Sequence, residues 1–189
     1  MPKGPTIDLI KAPGIDRKTL NRTTRSIRFL PPHEAMASEI EASDGRFPKP
    51  EDLDLPPAYW DNPVVINAKA SGDPLPHPCV LFLDGVRYQS SNSGRADSVL
   101  GFWWRSFGTQ QRHLVAAIRM QTLCRCGCRG WCTIHPVLAA IAHSMKLMRD
   151  GVRDNEVFDG SRREASNAYS MESKGRELGF RAMLLFVTG

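Results

Sequence analysis

Four of the chain's five cysteines fall within nine residues, Cys124-Arg125-Cys126-Gly127-Cys128-Arg129-Gly130-Trp131-Cys132. Side chains at i, i+2, i+4 and i+8 cannot converge from a regular strand or helix, whose periods send them to different sides. A loop broken by Gly127 and Gly130 can wrap them around one soft tetrahedral ion. Arg125 and Arg129 are expected to lower the thiol pKa values and favour the ligating thiolate, and His135 is a possible substitute ligand. The thiols are too close in sequence to staple distant parts of a fold, which argues against a secreted disulfide framework. The leading expectation is a structural Zn²⁺ on Cys124, Cys126, Cys128 and Cys132, with a redox or disulfide role and unligated thiols as the alternatives. Four ligands leave no open position for catalysis at that ion.

Charge is placed as unevenly as sulfur. Residues 1–63 hold 9 basic and 10 acidic side chains, whereas residues 87–129 hold seven arginines (Arg87, Arg95, Arg105, Arg112, Arg119, Arg125, Arg129) against Asp97 alone. That segment therefore carries seven minus one, or +6, more than the net +5 of the whole chain. Arginine without lysine suits forked contacts to phosphate, so Arg87, Arg105, Arg112, Arg119, Arg125 and Arg129 are candidate contacts to nucleic acid, DNA or RNA. The simpler alternative is a set of solvated strand residues. No run approaches the roughly 18–20 consecutive apolar residues that cross a bilayer. The first 30 residues also lack a signal peptide's apolar core, because Lys11, Asp16, Arg17 and Lys18 interrupt it. A nuclear or cytoplasmic chain is expected, neither secreted nor membrane-bound.

Of the 14 prolines, 10 lie in residues 1–63. Residues 1–57 accordingly read as a disordered Pro-rich, basic tail and linker, with a solvated basic stretch over 16–30 and a short helix over 33–42. Asp61-Asn62-Pro63 caps a helix over 64–70 that Gly72 stops, and Tyr59 and Trp60 anchor this entry segment. The folded domain is expected over 58–189. Residues 79–83 and 98–107 are strand-like apolar runs, and a third strand over 113–120 completes an antiparallel meander. Trp103-Trp104 could stack on bases, but at least one of the two is expected in the core, because adjacent strand residues point to opposite faces and the helix must cover one. Ile134, Val137, Leu138, Ile141, Met145 and Met148 form one stripe of a helix over 134–149, capped by Thr133 and stopped by Gly151. Residues 152–178 are polar, with a weak helix around 163–173. Phe180 to Val187 is apolar on both faces and reads as a central strand.

Asp84-Gly85 between two apolar runs is a type I′ hairpin signal. The wider order gives Asp84 a second reading. An apolar strand ending in an acid, two further strands, a covering helix and a returning strand look like the opening half of an RNase H-like fold, in which that acid holds Mg²⁺. Residues 56–189 resemble mobile-element reading frames of algal nuclear genomes. The carrying segments are Leu83 to Tyr88, Arg112 to Arg119, the cysteine block and Phe180 to Gly189. That family looks like a degenerate DDE transposase with an RNase H-like core.

The resemblance implies a partial RNase H-like α/β domain with Asp84 as its catalytic acid and Mg²⁺ as its cofactor if active. A second acid is expected after the returning strand and none appears before Gly189; Asp97 and Asp159 read as loop acids. His113 and His143 read as satisfied or solvated side chains rather than bases. The expected protein is thus a mobile-element-derived, catalytically inactive nucleic-acid binder with a structural zinc loop. A zinc-stabilised protein-interaction module and a metal-dependent transposase or nuclease acting through Asp84 are the alternatives.

Overall fold

The alternation seen in residues 79–119 produces the expected meander. The computed structural model of the chain describes residues 5, 7–44, 46–89, 96–109, 111–152 and 178–188. Strands β3 (His77–Gln89), β4 (Ala96–Ser106) and β5 (His113–Arg119) pair antiparallel in sequence order. Strand β6 (Ala182–Thr188) returns parallel to β3 on its other side. Before the meander come β1 (Asp8–Ile15), β2 (Arg22–Phe29) and the helices α1 (Pro32–Ala42), α2 (Pro57–Trp60) and α3 (Pro63–Ser71); α4 (Trp131–Asp150) follows β5. The six strands form one sheet in the order β1-β2-β5-β4-β3-β6.

The N-terminal region is not a tail. Ile10, Ala12 and Ile15 of β1 and Ile27 and Phe29 of β2 are buried, and all but Ile15 belong to the main core. The two strands form a hairpin whose turn is built by Asp16, which accepts backbone N–H groups of Lys18 and Thr19 at 2.9 Å each. Those bonds hold the Asp16 carboxyl below its ordinary pKa. Thr23 and Thr24 weaken a helix for the reason that suits them to a strand, their branched Cβ. Pro13 is tolerated because β1 is an edge strand. The hairpin meets the meander where Phe29 pairs with Ala116 and the Leu30 N–H donates to the Val115 carbonyl at 2.8 Å.

The expected linker is tied down as well. Leu55 is buried with Tyr59, Val65, Ala68 and Leu75 in a second, smaller core, on which Met183 and Leu185 of β6 also pack. Tyr59 anchors this unit as its sequence position suggests, its hydroxyl donating to the Pro76 carbonyl at 2.8 Å. Helix α3 has the expected caps, with Asn62 Oδ1 accepting the Val64 N–H and Gly72 in the left-handed region at φ 72°.

Two strand readings change. Asp84 and Gly85 lie within β3, paired with Gly101 and Leu100, and make no hairpin turn. The long antiparallel partner outweighs the local turn preference. Strand β6 is at the sheet edge, not its centre. Its two apolar faces are explained differently, since Ala182 and Leu184 face the main core while Met183 and Leu185 face the second one. The expected helix over 163–173 lies outside the described residues.

One face of the sheet carries α4 and α1. Trp104, Phe102, Cys79 and Leu81 meet Val137, Ala140, Ile141 and Met148 of α4 and Met36 of α1. Two polar pairings buried there tie α1 to its neighbours. His33 Nδ1 lies 2.9 Å from Ser144 Oγ, linking α1 to α4. Glu39 accepts the Thr109 hydroxyl at 3.0 Å and also meets His113 Nε2, fastening α1 to the start of β5. His113 is thus a satisfied histidine.

The decisive test of the N-terminal assignment is Phe29→Ala. Phe29 is 4% exposed, so truncation is expected to cost about 3–5 kcal/mol by urea denaturation. A loss below about 0.5 kcal/mol, usual for an exposed position, would mean that residues 8–29 do not belong to the core.

Candidate metal centre and open sheet face

The cysteine block is placed by three backbone features. After β5 the chain makes a short 3-10 turn at Met120–Thr122, and Leu123 then bridges Gly14 of β1. Gly127, Arg129 and Gly130 take positive φ values of 88°, 53° and 86°, which fold the loop back on itself. At Gly130 a Cβ would lie 2.8 Å from Leu123 Cδ1, so glycine is needed there for space as well as conformation. Helix α4 then starts at Trp131, three residues before the expected Ile134, with Gly130 as its N-cap. Cys132 therefore lies in the first helical turn.

Thr133 is freed from capping for another task. Its hydroxyl accepts the Cys124 N–H at 2.9 Å and donates to the Pro13 carbonyl. One buried side chain thus joins the loop, the helix and the N-terminal hairpin.

The four sulfur atoms all lie within 4.8 Å of one another. A tetrahedral zinc site with Zn–S bonds near 2.3 Å needs sulfurs about 3.8 Å apart, and the Cys126–Cys132 separation is 3.6 Å. Cys124 is buried, Cys128 and Cys132 are half-buried and Cys126 is exposed. The cluster is thus compatible with zinc, and it is the one group of three or more potential ligands among the described residues. His135 is not part of it and packs near Trp131, ring centroids 6.2 Å apart.

The thiol pKa values are set by neighbours other than those expected. The Cys128 thiol is lowered to about 6, chiefly by the Cys132 backbone N–H, which donates to its sulfur at 3.5 Å. The Cys132 thiol is pushed up to about 12, first by its hydrogen bond with Cys128 and then by that with Cys126. Arg125 and Arg129 are exposed and are not the source of either shift. Four thiols this close resist ionising together, and a divalent cation removes that obstacle by compensating the charge.

Cys79 lies apart from the cluster, fully buried, with burial raising its thiol pKa.

The arginine segment divides between two places. Arg125 and Arg129 ride on the cysteine loop. Along β3, Leu81 and Leu83 face the α4 core, so Phe82 and Asp84 face the other way. Trp103 pairs with Phe82, their rings nearly parallel at 6° with centroids 6.3 Å apart. Its neighbour Trp104 is fully buried, so the two indoles do divide between the faces. The Arg112 guanidinium lies 5.7 Å from the Phe82 ring centroid. Arg105 is on the Trp103 side of β4, and Arg119, opposite Val99, is on that side of β5. Toward β6 the same face is covered by the second core, on which Phe107 packs with Arg105 5.8 Å from its ring centroid, while Phe82 and Trp103 are half-buried. Arg87 is exposed farther along β3, outside this grouping.

The hairpin adds cations that the tail reading hid. Lys11 and Arg28 are exposed on strands whose alternate residues are in the core. The period-two pattern Ile27-Arg28-Phe29 was the available signal.

Asp84 is exposed in the middle of β3, and Asp97, read as a loop acid, is buried in β4. Along the β6 edge a cleft of about 720 Å³ opens between α3 and α4, lined by Ala68, Leu138, Ile141 and Met145 with Lys146 and Arg181 among its polar lining. Among the described residues no helix is long and apolar enough to cross a membrane. The chain matches no protein-family model, no curated protein and no solved structure.

Zinc content tests the centre directly. Protein prepared without chelator should carry about one zinc per chain by elemental analysis, and a strong chelator should lower its melting temperature. Cys124→Ser should lose the metal, whereas Cys79→Ser should keep it. A metal-free native protein with four titratable loop thiols would overturn the assignment.

Proposed function

We propose that the chain is a mobile-element-derived nucleic-acid-binding α/β domain with a structural zinc loop and no nuclease chemistry of its own. The observation that carries this reading is that Arg105, Arg112 and Arg119 share the sheet face of Phe82 and Trp103, with Arg112 over the Phe82 ring and Arg119 farther along β5. Guanidinium groups on a flat surface suit a phosphate backbone, which supplies most of the affinity in sequence-independent binding. The zinc's part is architectural: Cys124, Cys126, Cys128 and Cys132 would hold it, and it would lock the passage from β5 into α4. An RNase H-like origin is supported by strand order, since β5-β4-β3-β6 with β6 parallel to β3 is the opening half of that plan. The same face would serve a zinc-stabilised protein-interaction module, the main rival.

The triple variant Arg105→Ala, Arg112→Ala, Arg119→Ala separates these two. Each lost phosphate contact lowers the slope of log affinity against log salt by about 1, so the triple variant should bind nucleic acid more weakly and with a slope about 2–3 smaller. Unchanged affinity with an unchanged slope would remove the arginine face from nucleic-acid binding.

A second reading, Mg²⁺-dependent strand cleavage through Asp84, is favoured by the register of β6, which reaches Thr188 opposite Phe82, two residues short of Asp84 on β3. A two-metal site needs further carboxylates beside it. The proposed reading expects no Mg²⁺-dependent nicking of supercoiled DNA by the purified chain. Nicking that Asp84→Asn abolished would replace it with the nuclease reading.

A further inference from the structure

We infer that the open sheet face is a stacking platform for single-stranded nucleic acid, on which unpaired bases lie against Trp103 and Phe82 while their phosphates meet Arg105, Arg112 and Arg119. This rests on the nucleic-acid reading above and specifies its substrate class.

The platform is built by Gly101. A Cβ at that position would lie 2.6 Å from Trp103 Nε1, so the indole is laid back along β4 over a residue with no side chain. Any other residue there would push the ring away from the sheet. The indole is thereby held beside Phe82, on the directly opposed residue of β3, with the two ring planes within 6° of parallel. Both rings are half-buried rather than covered. Aromatic rings held in this way present π-faces that any base can stack on, which is how sheets bind single strands without reading sequence. Duplex DNA cannot use them, because its bases are already stacked and paired.

Charge is arranged to match. Arg112 reaches in from the segment before β5 to place its guanidinium over the Phe82 ring, and a guanidinium plane itself stacks on bases while donating to phosphate. Arg105 and Arg119 lie on the same side of β4 and β5, so the rings have cations on more than one side. Leu114, 44% exposed and paired with Trp103, extends the apolar floor. Asp84 is the acid on this part of β3, and it faces the same side as Phe82. A phosphate path would therefore follow the arginines on β4 and β5 and leave the carboxylate to one side.

The test measures binding of the full, zinc-loaded chain by fluorescence anisotropy to four labelled probes at one salt concentration: a dT 12-mer, a U 12-mer, a 12-base-pair duplex and an abasic 12-mer with the same phosphate count. The single strands should bind about ten-fold or more tightly than both the duplex and the abasic strand. Comparing the dT and U probes shows whether the 2′-hydroxyl matters. Trp103→Ala and Gly101→Ala should each remove most of the advantage over the abasic strand and leave abasic binding unchanged. Should a variant fail to fold, the abasic comparison on the unaltered chain still decides. If duplex or abasic strand binds as tightly as the single strands, the stacking inference is overturned while the nucleic-acid reading stands. If no probe binds, both fall and the face belongs to a protein partner.

Discussion

The joint at Thr133 is the constraint on which the rest of the structure depends. Its hydroxyl receives the Cys124 N–H and donates to the Pro13 carbonyl, so the cysteine loop, α4 and a strand 120 residues earlier share one buried oxygen. Buried backbone groups must be satisfied, and an orphaned one costs about 1–3 kcal/mol. The N-terminal hairpin, the cysteine loop and α4 are thereby tied to one another at a single buried side chain. The Leu123–Gly14 bridge and the glycine at position 130, packed against Leu123, repeat the constraint one residue away on either side. The cysteine loop is thus the visible part of a junction that begins in the first strand.

A metal would complete this junction by electrostatics rather than by packing. The sulfurs are already within 4.8 Å of one another through backbone geometry alone. The Cys128 thiol is lowered and the Cys132 thiol raised by their mutual hydrogen bonds, and a bound cation would supply the counter-charge for all four thiolates. The Cys132 N–H bond to the Cys128 sulfur is the kind of surrounding contact that orients a ligand before the ion arrives. Backbone donors do what Arg125 and Arg129 were expected to do, because an amide at bonding distance outweighs a guanidinium held in solvent.

Much of the architecture was legible wherever local pattern and global fold agree. The alternation of residues 79–119, the stripe on α4, the Asn62 cap and Gly151 as a stop are all local signals with one reading. The cysteine cluster was equally plain, and the structure does bring Cys124, Cys126, Cys128 and Cys132 together. The N-terminal hairpin was hidden because proline and basic residues suggest a tail, whereas Ile10, Ala12, Ile27 and Phe29 matter only once β5 is present to receive them. Asp84-Gly85 misled for the converse reason: a strong local turn signal yielded to a long antiparallel partner. The exterior rings and arginines could be counted in sequence, but the side of the sheet that Arg119 takes relative to Leu114 depends on a bulge in the β4–β5 pairing, which periodicity does not show.

That bulge acts on β5. Between the pairs Phe102–Ala116 and Trp103–Leu114 the register skips Val115, which brings Leu114 and Arg119 to the same side of the sheet as Trp103. Strand β5 is fixed at its start by the contacts of Glu39 with Thr109 and His113 and at its end by the passage into the cysteine loop. Its register against β4, and hence the position of Arg119 relative to Trp103, is therefore held from both ends. The cysteine loop thus holds one end of β5 and the buried Glu39 the other, so the outer face of that strand is positioned from both of its ends.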